Sequence, residues 1–228
     1  DFFKECRRGS YVSNENMTSG QLDILDSYTP KEKIKRAVHL IRDPFDNVVA
    51  RFHLHRKKFS KQLLDKYPNT PEGFRDYCNN DLGKKYRAKE ASFSPFKEIY
   101  DTIKNVPCHS DFFRYIQWHN LAFEATAKQN LSTMIIHYER YTDNFNKTKD
   151  DLLQFLEQHE VNEPPTFITG KTYRKYYTDK DIAAVKLMFS KLAQKDTWDQ
   201  TKQYFDWIRI VLYHIDPWAG GEQANDWK

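Results

Sequence analysis

Apolar residues recur along this chain at two periods, and the switches between them set the predicted elements. Ala37-Val38-His39-Leu40-Ile41 is a short, partly β-branched run that reads as a buried strand. Immediately after it, Phe45, Val48, Val49 and Phe52 fall at i, i+3, i+4 and i+7, one apolar face of a helix. Asp43 and Pro44 open that helix, because Asp caps well and Pro suits the first turn. The helix is predicted to run to about Phe59, with Arg56-Lys57-Lys58 as a solvated basic end matched to the helix dipole. A second apolar run, 132–139, reads as another buried strand.

The remaining pattern is helical. A helix over 72–79 is predicted inside an irregular, mobile stretch from 67 to 95 that is rich in Pro and Gly. Ser110 is expected to cap a helix that places Tyr115, Trp118, Leu121, Ala122 and Ala125 on one face and ends near Lys128. Thr148, with Asp151 three residues on, is expected to open a helix through Leu152, Phe155 and Leu156 to about His159. Pro164-Pro165 interrupts the chain, and Thr178 and Asp181 then cap a helix that turns Ile182, Val185, Phe189 and Leu192 inward. Trp198, Tyr204, Trp207, Ile208, Val211 and Leu212 keep helical spacing before a polar tail. Residues 1–30 read as loop with a short helix around 22–25.

Composition adds limits. A chain of 228 residues with 39% hydrophobic and 30% charged residues can bury a real core beneath a heavily charged surface. The 15% aromatic content argues against disorder. No run approaches the roughly 18 apolar residues of a membrane helix, and no signal peptide is visible at Asp1. A net charge of +4 suits an anionic ligand but falls short of a dedicated nucleic-acid binder. Cys6, Cys78 and Cys108 form no CxxC pair, and His53 and His55 are wrongly spaced for a helical metal pair, so no metal ligands are assigned. One disulfide with one free thiol, or a cysteine partner elsewhere, both stay open. Sequons at Asn16, Asn130 and Asn146 lean toward the secretory pathway, although chance alone would produce one or two.

The candidate chemistry sits at the first strand–helix junction. In α/β proteins, ligands bind where strand carboxyl ends meet helix N-termini, whose exposed N–H groups favour anions. Arg42 stands at that point; the alternative is an ordinary junction whose arginine makes a surface ion pair.

The stretch R-D-P-F-D-N-V-V-A-R-F-H, 42–53, resembles the 3′-phosphate-binding segment of sulfotransferases that use 3′-phosphoadenosine 5′-phosphosulfate (PAPS). The usual form there is R-[ND]-P-x-D-x-x-x-S. Arg42 matches the arginine, while Ala50 stands where the serine is usual, leaving the phosphate more dependent on guanidinium and backbone donors. Tyr138-Glu139 resembles the family's Y-E element, whose tyrosine lies against adenine; the plain alternative is a packed strand-end ring. Trp118-His119-Asn120 resembles the element preceding the last core strand, with no role assigned to His119. G-K-T-Y-R-K-Y-Y, 170–177, falls at the loop that closes over the nucleotide, so Thr172 and Tyr173 would be its hydroxyl–aromatic pair and Lys171 and Arg174 its phosphate ligands.

The resemblance implies a three-layer α/β/α domain with a central parallel sheet, a nucleotide-kinase-like core and a helix-rich C-terminal half. It implies one domain over 1–228, with 197–228 a helical extension and tail. Neither the family's P-K-[ST]-G-[TS]-[TS] loop nor its K-[ST]-H-x-P base motif is present, and the chain does not begin with Met. The expectation is therefore an N-terminally truncated chain that holds the 3′-phosphoadenosine end, its catalytic base unknown. The implied activity is sulfuryl transfer from PAPS to a hydroxyl or amine of a glycan, protein or small molecule, with a glycan preferred and no nucleic-acid partner. The expected place is the Golgi lumen, with any membrane attachment through a missing N-terminal anchor; a cytoplasmic setting stays open. The alternatives are a non-catalytic nucleotide-binding or interaction domain of the same fold, and a single-stranded nucleic-acid module using 170–177 and the basic cluster at 56–61.

Overall fold

A computed structural model describes residues 35–80, 94–164, 166–167 and 171–205. β1 (Arg36–Ile41) and β2 (Ser132–His137) pair in parallel, Arg36 opposite Ser132 and Ile41 opposite His137. Between them run α1 (Pro44–Arg56), α2 (Lys61–Lys66), α3 (Pro71–Asn79), α4 (Ser94–Ile103) and α5 (His109–Lys128). After β2 come α6 (Arg140–Asp143), α7 (Phe145–Leu156), a 3₁₀ turn (Arg174–Tyr176), α8 (Asp179–Leu192), α9 (Lys195–Thr201) and a second 3₁₀ turn (Lys202–Phe205). The chain is mixed α/β and helix-rich, with a two-stranded parallel sheet among the described residues.

Both strands lie where the apolar runs place them, but neither is buried throughout. Ala37, His39 and Ile41 are buried, whereas Leu40, on the opposite face, is 49% exposed. In β2 burial reaches only Ile136 and His137, while Ser132 and Thr133 are exposed. An apolar run marks strand-forming residues without saying how many faces are covered. In β1 the buried positions alternate from Ala37 to Ile41, with His39 turned toward α5. His39 lies on Phe123 of α5, with ring centroids 4.5 Å apart.

The main core lies beside the sheet. The α1 face Phe45, Val48, Val49 and Phe52 is buried as its spacing predicts. Phe45 meets Phe112 at 5.3 Å and Tyr177 at 5.1 Å, and Phe52 meets Phe74 at 5.5 Å and Tyr77 at 5.0 Å. From α8, Ile182, Val185, Phe189 and Leu192 turn in behind a capping box of Thr178 and Asp181, as expected. Asn120 of α5 ties this layer together, donating to Leu192 O and accepting from Gln194 N–H, both at 2.9 Å.

Several expected boundaries shift for local reasons. α1 stops at Arg56 because Lys58 and Phe59 N–H turn to i−3 carbonyls and tighten the end. Ser110 does not cap α5; the helix begins at His109, and Ser110 is buried in its first turn. Cys108 precedes it in the left-handed region, φ 51°, joined to Cys78 by a disulfide. That bond ties the end of α3 to the start of α5 across a sequence separation of 30, a closure worth about 3–4 kcal/mol. α5 is also not one-faced, since Phe112, Phe113, Ile116 and Phe123 are buried as well and Trp118 only partly. Thr148 does not cap α7: Asn144 does, accepting from Lys147 N–H at 3.1 Å, and Thr148 sits inside the helix. α7 ends at Leu156, before Glu157 at φ 53°, short of His159.

Of the segment expected as a C-terminal extension, Trp198 stacks on Phe205 and Phe205 joins the main core. Trp207, Ile208, Val211 and Leu212, the 22–25 helix, Cys6 and the sequon at Asn16 lie outside the described residues, as does 81–93. Among the described residues, no helix is long and apolar enough to cross a membrane.

Candidate functional site at the carboxyl ends of the two strands

The parallel pairing delivers Arg42 and Tyr138 to the same edge. Tyr138 N–H donates to Ile41 O at 2.7 Å, carrying the ladder one residue past β2. The Arg42 guanidinium then lies over the Tyr138 ring, 4.7 Å from its centroid. Both side chains are half-buried, and among the described residues Arg42 makes no ion pair.

The peptide that aims Arg42 is held from both sides. Its carbonyl accepts from Tyr115 Oη at 2.8 Å, and its N–H, on Asp43, donates to Glu139 Oε1 at 2.8 Å. Glu139 Oε2 accepts from Tyr204 Oη at 2.7 Å, so the second 3₁₀ turn braces both strand ends. Tyr204 Oη also lies 2.9 Å from His137 Nδ1. Burial, reinforced by Glu139, holds the Tyr204 hydroxyl far above its usual pKa and keeps it a donor.

The helix N-terminus differs from expectation. Its first N–H groups are not open to an anion, because Phe45 and Asp46 N–H go to Asp43 Oδ1 at 2.8 and 3.4 Å, and Asn47 N–H goes to Asp43 O. The good N-cap that the sequence reading identified consumes the donors that reading counted as free. Positive charge at this edge therefore comes from side chains.

Carboxyls surround those side chains. Burial pushes Asp43 up to about 7; Arg174 opposes the rise, and Asp46 and Glu139 add to it. Asp46 is likewise raised by burial, against the pull of Tyr173 N–H and Arg42. Near neutral pH, Asp43 is thus poised between its charged and neutral forms.

Asp46, Ala50 and His53 follow at i, i+4 and i+7 along α1, and the 171–174 loop lies over that face. Tyr173 N–H donates to Asp46 Oδ1 at 2.6 Å, and the Tyr173 ring lies 4.8 Å from His53. Burial lowers the His53 pKa, and the charges of Arg56 and Lys171 lower it further. Lys171 and Thr172 are exposed, and Ala50 is half-buried. Arg174 turns the other way: its guanidinium lies 3.9 Å from the Phe45 ring centroid and donates to Tyr204 O.

Arg42, Tyr138, Tyr173 and Arg174 thus gather around the start of α1, with Ala50 and Lys171 one to two turns farther along and Thr172 on the exposed loop. Asp46 and Glu139 are positions of the quoted motifs to which no role is assigned above, and His53, Tyr115 and Tyr204 join them at this edge. The motif itself marks Asp46 and Glu139, and the Asp46–Ala50–His53 spacing was a usable signal for His53; nothing local marks Tyr115 or Tyr204. His119, left without a role, is buried between Tyr115 and Trp118 at 4.3 and 4.9 Å, and burial lowers its pKa to about 3.

No family model, curated protein or solved structure matches the chain. A guanidinium that makes no ion pair among the described residues, a ring beside it, and an exposed lysine and hydroxyl on the covering loop form a donor set suited to a phosphate bearing an aromatic base. Among the described residues, no cluster of His, Cys, Asp and Glu could hold a metal ion.

Proposed function

We propose that this chain carries the 3′-phosphoadenosine-binding part of a PAPS-dependent sulfotransferase acting on a hydroxyl or amine acceptor, preferably a glycan. The observation that carries the reading is the meeting of Arg42 and Tyr138. Motif residues from distant parts of the chain lie on one another at the carboxyl ends of adjacent parallel strands.

In this reading Arg42 holds the 3′-phosphate, Tyr138 offers a face to adenine, and Lys171, Thr172 and Tyr173 close over them. Arg174 acts inside, fixing the loop to Phe45 and Tyr204. PAPS supplies the sulfuryl group, and the residues named here bind and orient the nucleotide. The fold the reading carries is the three-layer α/β/α, nucleotide-kinase-like core. The Cys78–Cys108 disulfide supports an oxidising compartment, in keeping with a lumenal, Golgi setting. A second reading, a non-catalytic nucleotide-binding domain, is favoured by Ala50, which offers no hydroxyl where the family uses one.

Calorimetry with 3′-phosphoadenosine 5′-phosphate tests both. Arg42→Ala is expected to weaken binding about tenfold to a hundredfold, the scale of a charge-assisted hydrogen bond. Binding indifferent to Arg42, or displaced by single-stranded nucleic acid, sinks the proposal. Sulfuryl transfer from PAPS to a glycan acceptor by the natural full-length product separates the enzyme from the non-catalytic reading.

A further inference from the structure

We infer that Asn130 is an N-glycosylation site, placed where its glycan leaves the nucleotide edge free. The inference rests on the lumenal part of the proposed function. Its residues, though, lie at the other end of the sheet.

Asn130-Leu131-Ser132 is an acceptor sequon. Structurally it is the turn that ends α5 and starts β2. Asn130 takes the left-handed position after the helix, φ 49°, a conformation Asn tolerates better than most residues. Asn130 N–H donates to Ala127 O at 3.0 Å and Leu131 N–H to Thr126 O at 3.1 Å, closing the helix end with backbone groups alone. Leu131 is half-buried and anchors the turn. Asn130 and Ser132 are exposed, and neither side chain has a hydrogen-bond partner among the described residues. Both groups that a glycosyl transferase must reach are thus free in the folded chain.

The neighbouring sequon at Asn146 offers the contrast. Thr148 there is buried, and its hydroxyl donates to Arg140 O at 3.1 Å and Asn144 O at 2.8 Å. An element that locks its hydroxyl in this way has no free acceptor partner once folded.

Position adds a further argument. Ser132 pairs with Arg36 at the amino end of the sheet, whereas Arg42 and Tyr138 leave from the carboxyl end. The strands between them span about 17 Å. A glycan on Asn130 projects away from the candidate site.

The donor class is an oligosaccharide on a lipid pyrophosphate. Asn130 Nδ2 forms a bond to the anomeric carbon and gives up one proton. The bond from that carbon to the pyrophosphate oxygen breaks, and lipid pyrophosphate leaves with the electron pair.

The test uses the full chain secreted from cultured animal cells behind an added signal peptide. It is treated with peptide N-glycosidase in heavy-oxygen water and read by peptide mass spectrometry. The label is expected at position 130 in most molecules, lost in Ser132→Ala, and retained in Ser132→Thr. Ser132→Ala spares the left-handed turn, so it is expected to fold and keep its Tm. A secreted chain with Cys78–Cys108 closed and position 130 unlabelled overturns the inference. Nucleotide calorimetry on the same material keeps the two proposals apart. A glycan without nucleotide binding removes the sulfotransferase reading and leaves the site, and nucleotide binding with a bare Asn130 does the reverse.

Discussion

Phe45 and Phe52 of α1 pack into the rings of Phe112, Phe74, Tyr77 and Tyr177, whereas Asp43 and Asp46, at the start of the same helix, are set among Arg42, Arg174 and Glu139. One region is apolar rings in contact; the other, at the strand ends and behind the sheet, holds carboxyls, guanidinium groups and the imidazoles of His39, His119 and His137. Apolar burial is non-directional and stabilises roughly in proportion to area. Burying a titratable group costs stability unless each charge finds a partner. The ring core can therefore hold the fold up, while the strand ends spend part of that stability on a charged edge.

Acid should separate the two regions most strongly. Burial lowers the His119 pKa to about 3 from 6.5 unfolded. Between those values the unfolded chain binds more protons, so this contribution is complete above pH 6.5 and is lost as pH falls toward 3. Its ceiling is on the order of 5 kcal/mol. His39 and His137 are lowered by burial and act in the same direction. Asp43 acts in the opposite direction. Its folded pKa of about 7 lies above the unfolded 3.8, so the folded state binds the extra proton and gains stability as pH falls through that window. Asp43→Asn, which keeps a good N-cap, is expected to steepen the acid loss seen in urea midpoints. An acid profile in that variant as flat as a purely apolar core would give breaks the distinction.

Truncating a ring tests the other region. Phe112 is fully buried against Phe45 and Tyr177, and Phe112→Ala is expected to cost about 3–5 kcal/mol in urea unfolding. Nucleotide affinity of the molecules that remain folded is expected to stay within a factor of two. A stability loss near zero would mean the rings are not the support they are taken for, and a collapse of affinity would mean the two regions are coupled.

The two regions also differ in how far the sequence discloses them. The α1 face, the α8 capping box and the strand positions were legible because burial repeats at the element's own period, and Asp43-Pro44 signals its turn locally. Ser110 and Thr148 misled because a hydroxyl before an apolar stretch fits a cap or a first-turn interior equally well. At α7 the cap went to Asn144, four residues before Thr148, and at α5 the helix starts directly after the disulfide-bonded Cys108. At the site, Arg42 and Tyr138 were legible as candidates by resemblance, but their contact follows from the strand register. Tyr115 and Tyr204 reach Arg42 and Glu139 from separations of 73 and 65 residues, and no local pattern encodes such a meeting. The capture of helix N–H groups by Asp43 was foreseeable from its cap role and changes what the site can bind.

The smallest expected effect bears most directly on what the charged edge is for. Tyr115→Phe removes a single hydroxyl and leaves the ring against His119 and Phe189. The Arg42 carbonyl loses its donor, a net loss of about 1 kcal/mol in stability. If Tyr115 and Glu139 serve to aim Arg42, affinity for 3′-phosphoadenosine 5′-phosphate should fall a few-fold, less than in Arg42→Ala, with the peptide now held on one side only. Glu139→Gln should stay close to wild type in affinity, since its carbonyl can still accept from Asp43 N–H and its amide can donate to Tyr204 Oη. Freed of its carboxylate partner, the Tyr204 proton can turn to His137 Nδ1, 2.9 Å away. Phe112→Ala and Tyr115→Phe then form a crossed pair, one moving stability without affinity and the other moving affinity beyond its small cost in stability. A Tyr115→Phe variant that loses stability yet binds nucleotide like wild type would show that the clamp on the Arg42–Asp43 peptide belongs to the scaffold, and Arg42 would then owe its aim to the Tyr138 ring alone.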